Sequence, residues 1–235
     1  MPTFSLRRRR RTNRRRVVRY RRKHKPLTVA TRVPRTVAGY HKPSQIVRLR
    51  FALKAGDSYP LTSTLGSIAA AQKNRANDVF DPNQTGTGAQ PRYYDSYMSM
   101  YRHFVVLGSK ITTCWTFGTG SSTSNSMVCA IILKDNSTTM ASKADIIEHP
   151  RSKHKVISAE NDKLYITSKY SWRCNGQSDP LDLRELWGSA TSSPSQQWTY
   201  HLAAYALNST TETVDVSGYI DYTVCFFQQI DPGQS

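Results

Sequence analysis

The first 56 residues contain no aspartate and no glutamate; the first acid is Asp57. A segment so one-sided in charge cannot condense alone, because like charges repel and little apolar surface offsets the loss of chain entropy. Long apolar runs are missing too. The longest, residues 127–133, is far short of the ~18 residues a membrane-spanning helix needs. A basic stretch opens the chain with no apolar stretch behind it, so no export signal is expected, and a cytosolic or nuclear setting is. Cysteine is scarce: Cys114, Cys129, Cys174 and Cys225 lie far apart with no C-x-x-C. That spacing predicts reduced thiols among apolar neighbours rather than a metal or redox motif. The Asn-x-Ser/Thr triplets at Asn83, Asn136 and Asn208 are then read as chance.

What is present is positive charge, and it is concentrated. The 235-residue chain carries a net charge of +17. Residues 1–56 hold nineteen Lys or Arg; residues 57–235 hold fourteen against all sixteen acids, so the remainder is close to neutral. Thirteen cations fall within residues 5–25: Arg7, Arg8, Arg9, Arg10, Arg11, Arg14, Arg15, Arg16, Arg19, Arg21, Arg22, Lys23 and Lys25. The asymmetry points to a polyanion held by a tail. Each cation that meets a phosphate releases a condensed counterion, so binding is strong, salt-sensitive and indifferent to sequence. Arginine adds a planar fork that grips phosphate bidentately and stacks on bases, and Phe4 and Tyr20 are available to stack as well. Residues 7–23 also read as a nuclear import signal. Too little apolar face accompanies them for membrane insertion.

Residues 26–43, with three prolines, read as an extended linker. From residue 44 the alternation of period two begins. Val47, Leu49, Phe51 and Leu53 oppose Arg48, Arg50 and Lys54, a half-buried strand whose polar face is cationic. Arg48 and Arg50 therefore join the arm as candidate nucleic-acid contacts. Residues 55–91 read as irregular, with a small Ala-rich turn and the loop DPNQTGTGAQP. Tyr94, Tyr97, Tyr101 and Phe104 fall at helical spacing and predict a short helix packed over one end of the core. Residues 104–118 predict a long strand with Val105, Leu107, Ile111, Trp115 and Phe117 on one face. Residues 127–133 predict a fully apolar strand. Residues 141–162 read as polar connection with a helical turn at Lys143–Glu148. Leu164, Ile166, Tyr170 and Trp172 alternate with Lys163, Lys169 and Arg173. Residues 179–188 carry helix signals, with Asp179 as cap, Pro180 in the first turn, Gly188 as stop, and Leu183, Leu186 and Trp187 turned inward. Residues 196–207 and 213–230 supply the last strands, the latter as one strand or two around Gly218. The result is an all-β domain over residues 44–235, an eight-stranded jelly-roll sandwich with long loops and short helical insertions.

No catalytic constellation emerges. H-E-x-x-H, G-x-S-x-G and a Walker A loop are absent, and His149 and His154 flank PRSK without carboxylate or thiol companions. Asp179, Asp182 and Glu185 are accounted for as cap and dipole partners of the expected helix. No enzymatic activity, metal or cofactor is expected.

The basic arm, proline-bearing linker and eight-stranded body resemble the capsid proteins of circovirus-like viruses, small viruses with circular, Rep-encoding single-stranded DNA genomes. Residues 93–111, YYDSYMSMYRHFVVLGSKI, look like that family's Tyr-rich helix leading into a strand with a V-x-G-S-K-I type ending, here Val106, Leu107, Gly108, Ser109, Lys110 and Ile111. The arm and layout span the whole chain, and the motif about twenty residues. The resemblance implies a T=1 icosahedral shell, commonly of sixty copies, with the arm inside on single-stranded DNA, nuclear import during assembly, and for some members host-surface glycans. A capsid of a small RNA virus and a cellular nucleic-acid-binding protein with a basic tail would share the arm.

Overall fold

The structure, a computed structural model, describes residues 43–230 apart from 65–66, 70–71, 85–88, 119–125, 136–137, 141, 159–162, 177–178 and 209–210. The arm over 1–25 and nearly all of the linker thus lie outside the described residues. The strands are β1 (Ser44–Ala52), β2 (Tyr59–Ser63), β3 (Gln72–Arg75), β4 (Tyr101–Phe117), β5 (Ser126–Lys134), β6 (Ser152–Ser158), β7 (Leu164–Ser171), β8 (Trp187–Gly188), β9 (Thr199–Ala206) and β10 (Glu212–Gln229). Two short helices are α1 (Tyr94–Met98) and α2 (Lys143–Glu148).

The strands form two antiparallel sheets. One runs β1-β10-β4-β7, with β2 beside β10 and β8 beside β4; the other runs β3-β9-β5-β6. Setting aside β2 and β8, the sheets interleave as first-eighth-third-sixth and second-seventh-fourth-fifth. That is the strand order of a jelly roll, and the chain has that fold.

The core between the sheets follows from alternation. Leu49 and Phe51 of β1, Ile111 and Trp115 of β4, and Val216, Ile220 and Tyr222 of β10 face Met127, Cys129 and Ile131 of β5 and Tyr200 and Leu202 of β9. Burial pushes the Cys129 thiol well above its ordinary range, keeping it protonated. Strand β5 is apolar on both faces because the second sheet is covered twice. Its opposite parity, Val128, Ala130 and Ile132, packs under α2 and Met140 with Ile146, Ala203 and Tyr205. Helix α2 holds its place through a capping box. Ser142 Oγ accepts from Asp145 N at 3.1 Å, and Asp145 Oδ2 accepts from Ser142 N at 2.9 Å.

Several sequence expectations are corrected. Residues 55–91 contain β2 and β3, not only loops. β2 continues the path of β1 along β10 after a 3₁₀ turn at Leu53–Gly56, where Lys54 and Gly56 take positive φ. β3 has no apolar alternation, since among its residues Asn74 alone is buried. β6 lies in what reads as connection. It is an edge strand, Lys153, His154, Lys155 and Val156 are all exposed, and an edge so charged resists pairing with another chain. The aromatic stripe divides: Tyr94 and Tyr97 lie at α1, Tyr101 and Phe104 in β4, and all four gather around Phe226. The single-face reading of β4 fails at a bulge, where Gly108 pairs with Thr223 but Val106 with Val224. One extra residue reverses the pleat. Val105 and Leu107 therefore face away from Ile111 and Trp115, toward Leu186, Cys225 and Phe227. No helix spans 179–188. Asp179 Oδ1 accepts from Leu181 N in a turn, a 3₁₀ turn covers Arg184–Leu186, and Gly188 lies in β8. Gly188 is a packing glycine, because a Cβ there would collide with the Phe104 ring. β10 is one strand through Gly218, where a Cβ would strike the Thr112 carbonyl oxygen.

Candidate nucleic-acid interface

Among the described residues, no helix covers the outer face of the first sheet beyond the bulge, as α2 covers the second sheet. Its outer face is set by strand register. Arg50 pairs with Asp221, Asp221 with Lys110, and Lys110 with Lys169, so one row crosses β1, β10, β4 and β7. The neighbouring rows are Arg48, Thr223, Gly108 and Ser171 on one side and Ala52, Tyr219, Thr112 and Thr167 on the other. Period two places all of these opposite the buried Leu49, Phe51, Ile111, Ile166 and Tyr222. At about 4.8 Å per strand, the charged row is roughly 14 Å long. It lies in an open trough of about 600 Å³ lined by Arg48, Arg50, Lys110, Lys169, Asp221 and Thr223.

The four cations are not equivalent. Arg50 forks onto Asp221, with Nε donating to Oδ1 at 2.6 Å and Nη2 to Oδ2 at 3.1 Å, and its Cζ sits 4.1 Å from the centre of the Tyr219 ring. The Asp221 hydrogen bonds hold Arg50 above the ordinary guanidinium value. Its charge is thus partly spent within the sheet. Arg48, Lys110 and Lys169 are exposed, and no ion pair among the described residues engages them. Of the two body arginines marked in the sequence, Arg48 is the better placed to meet an external anion. Lys110 and Lys169 are the functional candidates that sequence reasoning missed. Each read as the polar face of its own strand, and nothing local said that the two strands are partners.

The cationic band continues past both edges of the sheet. Beyond β7, Lys169 shares a cavity of about 380 Å³ with Arg151 and Lys153, and the Arg151 guanidinium stacks 4.4 Å from the Trp198 ring centre. Beyond β1, a cavity of about 630 Å³ is lined by Arg48, Arg50, Arg92 and Tyr93. His149, beside this band, has its pKa lowered by burial first, then by Lys134 and Arg151. It is therefore held toward the neutral form at neutral pH. Tyr170, Tyr200 and Tyr222 lie in the core, and their pKa values are raised chiefly by burial. Among the described residues there is no group of three or more His, Cys, Asp or Glu placed to hold one metal ion. What the face offers is fixed positive charge, hydroxyls and an accessible aromatic, groups that can meet phosphate and base. The arm cations, from Arg7 to Lys25, lie outside the described residues.

No protein-family model matches the chain, and no curated protein matches it. Solved structures do. Desmodium yellow mottle tymovirus aligns at 14% identity and a TM-score of 0.37, over 83% of this chain and 94% of that one. A decameric BFDV capsid protein aligns at 12% identity and 0.41, over 78% and 99%. The Macrobrachium rosenbergii nodavirus aligns at 10% identity and 0.49, over 86% and 59%. The interleaved strand order, rather than these likenesses, carries the assignment of the chain to the jelly-roll sandwiches.

Proposed function

We propose that the chain is a viral capsid subunit that self-assembles into a small icosahedral shell and packages single-stranded circular DNA through its arginine-rich arm. The observation that carries this reading is the division of charge. A cationic segment with no acid precedes a nearly neutral jelly roll that carries, among the described residues, a cationic trough on one sheet face. The neutral body builds a wall against its own copies, and arm and sheet face together hold the polyanion. Sixty arms of thirteen charges each would neutralise roughly 780 phosphates, and would repel one another in an empty shell. The likeness of residues 93–111 to the circovirus-like motif favours DNA as cargo and the host nucleus as the place of assembly, with residues 7–23 read by an import receptor and the virion as final location. Host-surface glycans are a further partner implied by that likeness alone.

The test is deletion of residues 1–25. The truncated chain should still form particles under electron microscopy, while the 260/280 nm absorbance ratio of purified particles drops sharply. Equal packaging by the truncated chain refutes the arm mechanism. A full chain that stays monomeric under all solvent conditions refutes the capsid reading in favour of a cellular nucleic-acid-binding protein. Packaged material sensitive to ribonuclease but not deoxyribonuclease assigns the cargo to RNA.

A further inference from the structure

Tyr93 stands apart from the other aromatics of its segment. Tyr94 and Tyr101 are buried and Tyr97 stacks on Phe226, but Tyr93 is 72% exposed and no ring among the described residues stacks on it. Its backbone is left-handed, with φ 70° and ψ −1°, a conformation that favours glycine or asparagine over a bulky aromatic. The position thus holds a large ring that neither packs nor suits its backbone. The ring lines the cavity of about 630 Å³ at the open edge of β1, together with Arg48, Arg50 and Arg92 and with no acid among the described lining residues. Arg50 is committed to Asp221, whereas no ion pair among the described residues engages Arg48 or Arg92.

We propose that Tyr93, Arg92 and Arg48 form a nucleotide site in which an unpaired base stacks on the Tyr93 ring while Arg92 and Arg48 hold the flanking phosphates. This deepens the nucleic-acid reading above and rests on it. A duplex keeps its base faces stacked on one another, so a lone exposed ring rewards single strands and gives the body a preference that a phosphate-binding arm lacks. The cavity and the sheet trough share Arg48, Leu49 and Arg50 in their linings, so a strand seated on Tyr93 can run on toward Lys110 and Lys169. Two arginines with no ion pair among the described residues, Arg48 and Arg92, favour a polyanion over a second copy of this near-neutral body as occupant.

The experiment uses the full chain at about 0.5 M salt, where arm contacts are weakened. An oligothymidylate carrying 5-iodouracil is photo-cross-linked, and adducts are mapped after trypsin, which releases residues 93–102 as one peptide. Adducts are expected on that peptide. Tyr93→Phe should retain them. Tyr93→Ala should lose them and weaken single-strand binding by about tenfold with little change for duplex. Arg92→Gln should reduce the salt slope by about 0.7. Adducts on Lys110, Lys169 or the arm but not on residues 93–102 overturn this site and leave the packaging reading intact. Absence of adducts anywhere overturns both. Loss of self-association by Tyr93→Ala without nucleic acid, at unchanged oligonucleotide affinity, makes the pocket a contact between copies and overturns the proposal.

Discussion

Asp221 is the one acid in the charged row of the outer sheet face, and its removal makes an unusual forecast. Asp221→Asn breaks an ion pair, yet it should tighten nucleic-acid binding. Asp221 now occupies Arg50 through two hydrogen bonds and lies in register with Lys110 on its other side. Neutralising it frees one guanidinium and removes one repulsive charge from the path of a phosphate. Each phosphate contact to a single strand contributes about 0.7 to the slope of log K against log salt, or about fourfold in affinity near ~0.15 M salt. The chain truncated before His41 offers Arg48, Arg92, Lys110 and Lys169, so its slope should be about −2.8, steepening to about −3.5 in the variant, with affinity up about fourfold. Stability should barely move, because the pair is solvent-exposed. Fluorescence anisotropy of a labelled 20-nucleotide strand, titrated at four salt concentrations, reads both quantities. An unchanged slope with unchanged affinity would mean that nucleic acid does not travel over this face.

Adjacent tyrosines should behave oppositely. Tyr94→Ala removes a buried ring packed edge-on to Phe104 and a hydroxyl that donates to the Ser189 carbonyl at 2.8 Å, and should lower urea stability by about 3–5 kcal/mol. Tyr93→Gly should stay within about 1 kcal/mol of the parent, since relief of the left-handed backbone offsets the added chain entropy. Gly188→Ala should destabilise by about 1–3 kcal/mol, as the new methyl must displace the Phe104 ring; an unchanged denaturation midpoint would contradict that packing. Burial raises the folded-state pKa of Tyr170, Tyr200 and Tyr222 above the unfolded value near 10. The stability they contribute is thus whole below pH 10 and is lost as pH climbs beyond it. Absorbance at 295 nm should rise in two phases, exposed tyrosines first and buried ones with unfolding; a single phase with the fold intact would refute the assignment.

The elements legible in the chain were those whose burial is one-sided or complete. Period two marked β1, β7 and much of β10, a continuous apolar run marked β5, and a Ser-x-x-Asp cap fits the short α2. The opening cations lie outside the described residues, and their reading as a polyanion-binding segment rests on charge density, which needs no fold to act. β3 and β6 were not legible. β3 carries polar residues at all four positions and so shows no apolar alternation, and the exposed lysines that protect the edge strand β6 look like loop residues.

Sequence alone determined the class of the body, the asymmetry of charge and the wet face of the regularly alternating strands β1 and β7, since these depend on residues two apart. Tertiary structure alone decided which wet faces meet. Arg50 and Asp221 are 171 residues apart, Lys110 and Lys169 become neighbours through the pairing of β4 with β7, and a single extra residue at Leu107 turns Val105 from the core to a second cluster. Strand pairing is chosen by the packing of the whole sandwich, and the register that aligns one row of charges is a by-product of burying the row beneath it.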